Sequence, residues 1–261
     1  MRAWVLASSA AVVLVASVGL AAPKEFREFF EFRYMSALPG GGFGVTPDGR
    51  VGFDGAIQMN VPVAYTPCSG NFVGGYWAGA LDTWHPTLDT EGAEVNGTGL
   101  LAMGLGKPEH GFYVAFMPTS KESEAAWNFQ VQLRPDDWDK PAFAVGVQDS
   151  ADQRDRAIGH PGGSQSFYGV ATGRLGTDDD FVFVTLGWGG GRFNSRPFGG
   201  ICWPFHDKFT AFAEYDGFNV NAGVAHSWAS RFEDRRWNLV GLFGLTDLNR
   251  PVLGSSLTYS R

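Results

Sequence analysis

Cysteine, lysine and long apolar runs are what this 261-residue chain has least of. It holds two cysteines and five lysines, and no unbroken apolar stretch of about 18 residues follows its first twenty positions. Cys68 and Cys202 lie far apart, with no CxxC pair and no Cys/His spacing beside them. That excludes a zinc site or a disulfide-stapled scaffold, and both thiols are expected to be free. Scarce lysine, a net charge of −7 and a pI near 5.2 remove the basic face that a nucleic-acid binder needs. The missing apolar run leaves the mature chain without a transmembrane helix. A transmembrane barrel stays open at a mean hydropathy of −0.10, because lumen positions dilute its apolar ones.

What the chain does have is alternation. In residues 125–149, Trp127, Phe129, Val131 and Leu133 alternate with Asn128, Gln130, Gln132 and Arg134. A turn with Pro135, Asp136 and Asp137 follows, and then Phe143, Val145 and Val147 alternate with small or polar residues. Strand side chains point to opposite faces with period two, so each segment has one apolar and one polar or small face. Glycine supplies 36 of the 261 residues, about twice the usual share, and aromatics reach 15%. That pairing suits curved strands with a crowded inner face.

The N-terminus reads as a secretory signal. Arg2 is the positive n-region, Val5–Leu20 is apolar, and small residues permit a cut after Ala21 or Ala22. Residues 22–50 form an ambiguous segment: Phe26, Phe29, Phe30 and Arg33 could line a helical face, whereas Phe30, Phe32 and Tyr34 alternate as in a strand. Pro39-Gly40-Gly41-Gly42 and Pro47-Asp48-Gly49 are turn signals.

Beyond residue 50 the spacing predicts strands at 57–65, 72–81, 98–106, 111–118, 126–134, 141–149, 166–174 and 180–189. Others follow at 198–205, 208–216, 219–228, 236–245 and 251–260. Pro62 marks an irregularity in the first of these, since proline has no ladder donor. Connections alternate long and short until the last third of the chain, as in barrels with long outer loops and short inner turns. The expected architecture is all-β: one antiparallel transmembrane β-barrel of about 12–14 strands over 51–261.

Within that frame, Gln130, Gln132, Arg134, Arg174 and Glu214 are candidate lumen residues. Glu214 is expected to pair with an inward arginine, Arg134 or Arg174, since a carboxylate facing hydrocarbon is costly. Asp216 is expected to cap the tight turn at Gly217. Trp127, Trp188, Trp228, Trp237 and Tyr259 fall at strand ends and are candidates for interfacial girdles. Outer-membrane lipid is the partner this implies.

Chemistry finds little support. His226 and Ser227 are adjacent and face opposite sides of one strand, while His85, His110, His160 and His206 fall in or beside loops. There is no GxSxG elbow and no HExxH helix. Asp178-Asp179-Asp180 and the Glu91/Glu94 loop read as solvated acidic turns rather than a metal cage. No cofactor, no metal and no catalytic residue is expected.

The second half also carries a resemblance. PAFAVGVQD (141–149), SFYGVATGRLG (166–176), VFVTLGWGGG (182–191), FGGICWPFHDKFTAFAEYDG (198–217) and VNAGVAHSW (220–228) occur in order. This succession is similar to the YjbH-type family of exopolysaccharide-associated outer-membrane β-barrels. The shared pattern is a glycine-rich strand, an FGG strand and a lysine-containing turn leading into EYDG. LPGGGFGVTPDGRVGF (38–53) resembles the family's N-terminal turn segment. The resemblance implies a non-enzymatic envelope role, with surface polysaccharide or its export machinery as partner. Two alternatives stand beside it: a narrow, porin-like diffusion channel, and a secreted soluble all-β sugar-binding protein.

Overall fold

The computed structural model describes residues 36–52, 54–79, 97–118, 125–133, 140–151, 165–177, 179–228 and 236–261. The signal segment, Arg134, His85, His160 and the Glu91/Glu94 loop lie outside them. Two short strands, β1 (Gly44–Val45) and β2 (Val51–Gly52), form a separate two-stranded sheet, and Val45 also bridges Ala56. Twelve further strands form a closed antiparallel barrel. These are β3 (Phe72–Gly79), β4 (Gly97–Leu105), β5 (Phe112–Pro118), β6 (Ala125–Gln132), β7 (Ala142–Gln148) and β8 (Ser166–Gly176). The rest are β9 (Phe181–Gly189), β10 (Arg196–His206), β11 (Phe209–Tyr215), β12 (Val220–Ser227), β13 (Trp237–Thr246) and β14 (Arg250–Tyr259).

Each strand pairs with its sequence neighbour, and β14 closes the ring on β3 from Tyr259↔Phe72 to Val252↔Gly79. Closure leaves no strand edge exposed. One mouth of the barrel holds the start of β3 and the end of β14, and is called here the terminal mouth. The other carries the longest connections, 80–96 and 149–165, and is called the loop mouth.

The outer face carries exposed Leu101, Val131, Phe143, Val145, Leu186, Val224, Phe243 and Leu253. The inner face carries buried Asn128, Gln130, Gln132, Gln148, Thr172, Thr185, Asn221, Ser256 and Thr258. Buried Val73, Leu100, Met117, Val170, Phe183, Val240, Leu242 and Val252 share that inner face, so the barrel is apolar outside and mixed, polar and apolar, inside.

Glycine and aromatic residues work as pairs. Inward rings with a glycine as direct cross-strand partner include Trp77↔Gly254, Tyr168↔Gly146, Phe198↔Gly187 and Phe212↔Gly223. A Cβ on Gly187 would come within 2.3 Å of the Phe198 ring, and one on Gly254 within 2.2 Å of Trp77. The rings therefore lie flat on the wall over positions without side chains, which keeps the bore free. This is the glycine–aromatic cross-strand pairing that supports curved sheets.

The bore is then occupied by the chain itself. The alternation at 57–65 predicts a wall strand, but the wall begins only at Phe72. Ile57, Gln58, Met59, Asn60, Val61, Val63, Ala64 and Tyr65 are all at most 1% exposed, so both faces of the segment are covered. Residues 36–71 run toward the terminal mouth, turn at Thr46–Arg50, return past Glu214 and descend again into β3. The turn is held by Gly49 N donating to Thr46 O at 2.9 Å. A bore of twelve strands lies between those that wall side chains fill and those that hold an aqueous channel, so a filler of this size fits it.

Candidate functional site

The interface between this plug and the wall is the most structured polar region of the molecule. Its centre is Glu214 on β11. The alternation Thr210, Phe212, Glu214 turns all three inward, and all are buried. Glu214 accepts the backbone N–H groups of Met59 at 2.9 Å, Asn60 at 2.8 Å and Val61 at 3.2 Å. Asn221 Nδ2, from the neighbouring β12, donates to it at 3.0 Å. The expected arginine partner is not Arg174, which lies toward the other mouth beside Phe181, while Arg134 lies outside the described residues. Because the plug fills the bore, its own amides reach the carboxylate first. The guanidinium that opposes Glu214 and Asp216 electrostatically is that of Arg192 at the loop mouth, whose pKa burial lowers and the two carboxylates raise.

Further wall contacts to the plug come from neutral side chains, and from backbone bonds of Ser69 N to Gly106 O and Gly104 N to Asn71 O where the plug passes into β3. Thr172 Oγ1 accepts from Ala64 N at 2.9 Å, and Gln132 Oε1 accepts from Thr66 N at 2.9 Å. Gln130 Nε2 donates to Val63 O at 3.0 Å, and its Oε1 accepts from Tyr168 OH at 2.8 Å. Asn128 Nδ2 and Tyr113 OH donate to Ala37 O, Ser256 Oγ donates to Gly42 O, and Gln148 Nε2 donates to Ser36 O. No barrel strand forms a ladder with the plug among the described residues. Buried polar atoms of Gln58 and Tyr65 on the plug, and of Thr210 on the wall, find no hydrogen-bond partner among the described residues. The interface therefore combines apolar packing of Ile57, Met59, Val61 and Val63 with polar contacts that are imperfectly matched.

Of the candidate lumen residues, Gln130, Gln132 and Glu214 face inward and are buried. Arg174 follows inward Thr172 on β8 and lies 5.5 Å from the Phe181 ring centre. Asp216 Oδ1 accepts from Phe218 N at 3.0 Å and Asn219 N at 2.9 Å around Gly217 at φ +96°, the expected cap. Cys202 is buried against the plug, its Sγ accepting from Ile57 N at 3.3 Å; both cysteines are free.

The candidate girdle residues fall at two levels. Trp127 and Trp188 are exposed near the loop mouth, while Trp228, Trp237 and the partly exposed Tyr259 ring the terminal mouth. Trp237 and Tyr259 are in contact, with ring centres 4.8 Å apart. His226 faces outward between Phe209 and Trp228, at 4.7 and 4.9 Å. Ser227 faces inward and donates to Asn238 Oδ1 at 2.8 Å, so the two side chains do not meet. Among the described residues no group of three His, Cys, Asp or Glu side chains could hold a metal.

The plug is what sequence reasoning missed. The signal available was Pro62 in a strand-like run, together with the glycine-rich turns on its N-terminal side. No protein-family model matches the chain, and no curated protein matches its sequence.

Proposed function

We propose that the protein is a non-enzymatic barrel of the bacterial outer membrane, closed in its resting state by residues 36–71. The observation that carries this reading is the exposed belt: large apolar side chains stand outward around the ring, while the amides, hydroxyls and a carboxylate of the wall are turned inward among apolar side chains. A soluble sugar-binding protein would expose that apolar belt to water, which monomeric soluble proteins rarely do on this scale. The two levels of tryptophan and tyrosine suit the two lipid–water interfaces. The filled bore argues against the porin-like alternative for the resting state. The exopolysaccharide link rests on the resemblance of residues 140–228 alone, and envelope lipid is the partner the surface itself favours.

Electrophoresis of the detergent-extracted membrane fraction tests this. The unboiled protein is expected to migrate faster than the boiled one, and planar-bilayer recordings of the wild type are expected to show no stable open level. Recovery in the soluble fraction without a heat shift would refute the membrane reading. A steady open level in the wild type would refute the closed state.

A further inference from the structure

We infer that the barrel is a gated conduit for uncharged, hydrogen-bonding solutes, with residues 36–71 as a hatch and the Glu214 carboxylate as its latch. The inference rests on the membrane reading above and goes beyond it. Three observations carry it. First, residues 36–68 are joined to the wall by side-chain hydrogen bonds and packing, and the backbone bonds to the wall, Ser69 N to Gly106 O and Gly104 N to Asn71 O, lie where the plug passes into β3, so the plug can swing out on that tether without unzipping a strand. Second, Gln58, Tyr65 and Thr210 keep buried polar atoms without partners in that interface among the described residues. A permanent core satisfies such groups, because a buried polar atom left unpaired has lost its hydration without compensation. Third, one side chain holds three plug amides together with Asn221, which concentrates the polar attachment at Met59–Val61 near the loop mouth.

The wall beneath the plug points to the solute class. Its polar groups are Asn128, Gln130, Gln132, Thr172 and Thr185, set among the Tyr113 and Tyr168 rings and apolar Val170, Phe183, Val240 and Leu242. Neutral amides and hydroxyls exchange hydrogen bonds with polyols without the desolvation cost that ions bring. With the hatch displaced, this lining matches an uncharged polyhydroxylated molecule better than a salt.

The native Cys202 thiol reports the hatch, since it is buried in the lumen against Ile57 N. In full-length Cys68→Ser protein reconstituted in vesicles, a membrane-impermeant maleimide is expected to leave Cys202 almost unlabelled. Adding Glu214→Ala is expected to raise the labelling rate at least tenfold while the heat shift persists, and to make the vesicles swell in iso-osmotic glucose. A persistent heat shift with unchanged labelling would overturn the latch. Faster labelling without glucose entry would overturn the conduit. If Glu214→Ala does not assemble, the Cys68→Ser protein in rising urea decides. Cys202 labelling well before the heat shift is lost supports a hatch, and labelling only as the barrel unfolds overturns it. Loss of the heat shift in the wild type itself would instead count against the membrane reading.

Discussion

Leu186 sits near the middle of β9 on the outer face and is 62% exposed. Its cross-strand neighbours are Ala171 and Gly199, so a longer side chain meets no bulky group there. On a protein surrounded by water, Leu186→Arg at such a surface position would change stability by no more than about 0.5 kcal/mol. On a barrel surrounded by lipid, an arginine at the bilayer midplane costs about 2–4 kcal/mol. That is roughly 30- to 700-fold in the folding equilibrium, at about 1.4 kcal/mol per factor of ten. Leu175 supplies the internal comparison, because it faces outward at the terminal-mouth end of β8. There the same substitution should cost only about 0–1 kcal/mol, as expected near an interface. Equilibrium unfolding of both variants in phospholipid vesicles, followed by tryptophan fluorescence, measures the difference. Equal costs at the two depths, or a Leu186→Arg effect below about 0.5 kcal/mol, would refute the assignment of this face to lipid.

Further outcomes follow from the interior. Gly187→Ala should destabilise by about 1–3 kcal/mol, because its Cβ would strike the Phe198 ring and the Gly169 carbonyl. Gly169→Ala points outward into open space and should be neutral or slightly stabilising, through the lost backbone freedom of glycine; denaturant midpoints of the pair would show opposite signs. Asp216→Ala removes the acceptor of two turn amides and of Asn221, and should cost about 1–3 kcal/mol by the same assay, with Asp216→Asn retaining part of it. The Cys68 thiol is pushed up mainly by burial, against a hydrogen bond from Asn71 that lowers it. A raised pKa leaves less thiolate at pH 8, so Cys68 should alkylate more slowly than an unstructured thiol, and equal rates would contradict the packing around it.

Much of the wall was legible in residue order. The twelve segments that build it match the spacing-based strands from 72–81 onward to within about two residues. The reason is local: period-two alternation with turn residues between fixes which face of each strand is apolar, whatever the partner. For the same reason Glu214 could be turned inward by its neighbours Thr210 and Phe212, and Asp216 could be placed at a turn by the glycine after it. The resemblance over residues 140–228 added a functional suggestion that the geometry neither needs nor tests.

The plug was not legible, and residues 57–65 show why. Ile57, Met59, Val61, Val63 and Tyr65 alternate as a wall strand would, because an extended segment buried on both sides has no distinct signature when its polar partners are remote. Gln58 and Asn60 look like a solvated face until the structure places them inside the bore. The partners of Glu214 were likewise hidden, since they are backbone amides more than 150 residues away in sequence, which no side-chain pattern encodes. By itself the sequence determined the strands, their two faces and their turns, because those depend on neighbours along the chain. Closure of β14 on β3, the number twelve, the filling of the bore and the latch on Glu214 were decided only by tertiary structure, where contacts between distant segments compete for one interior.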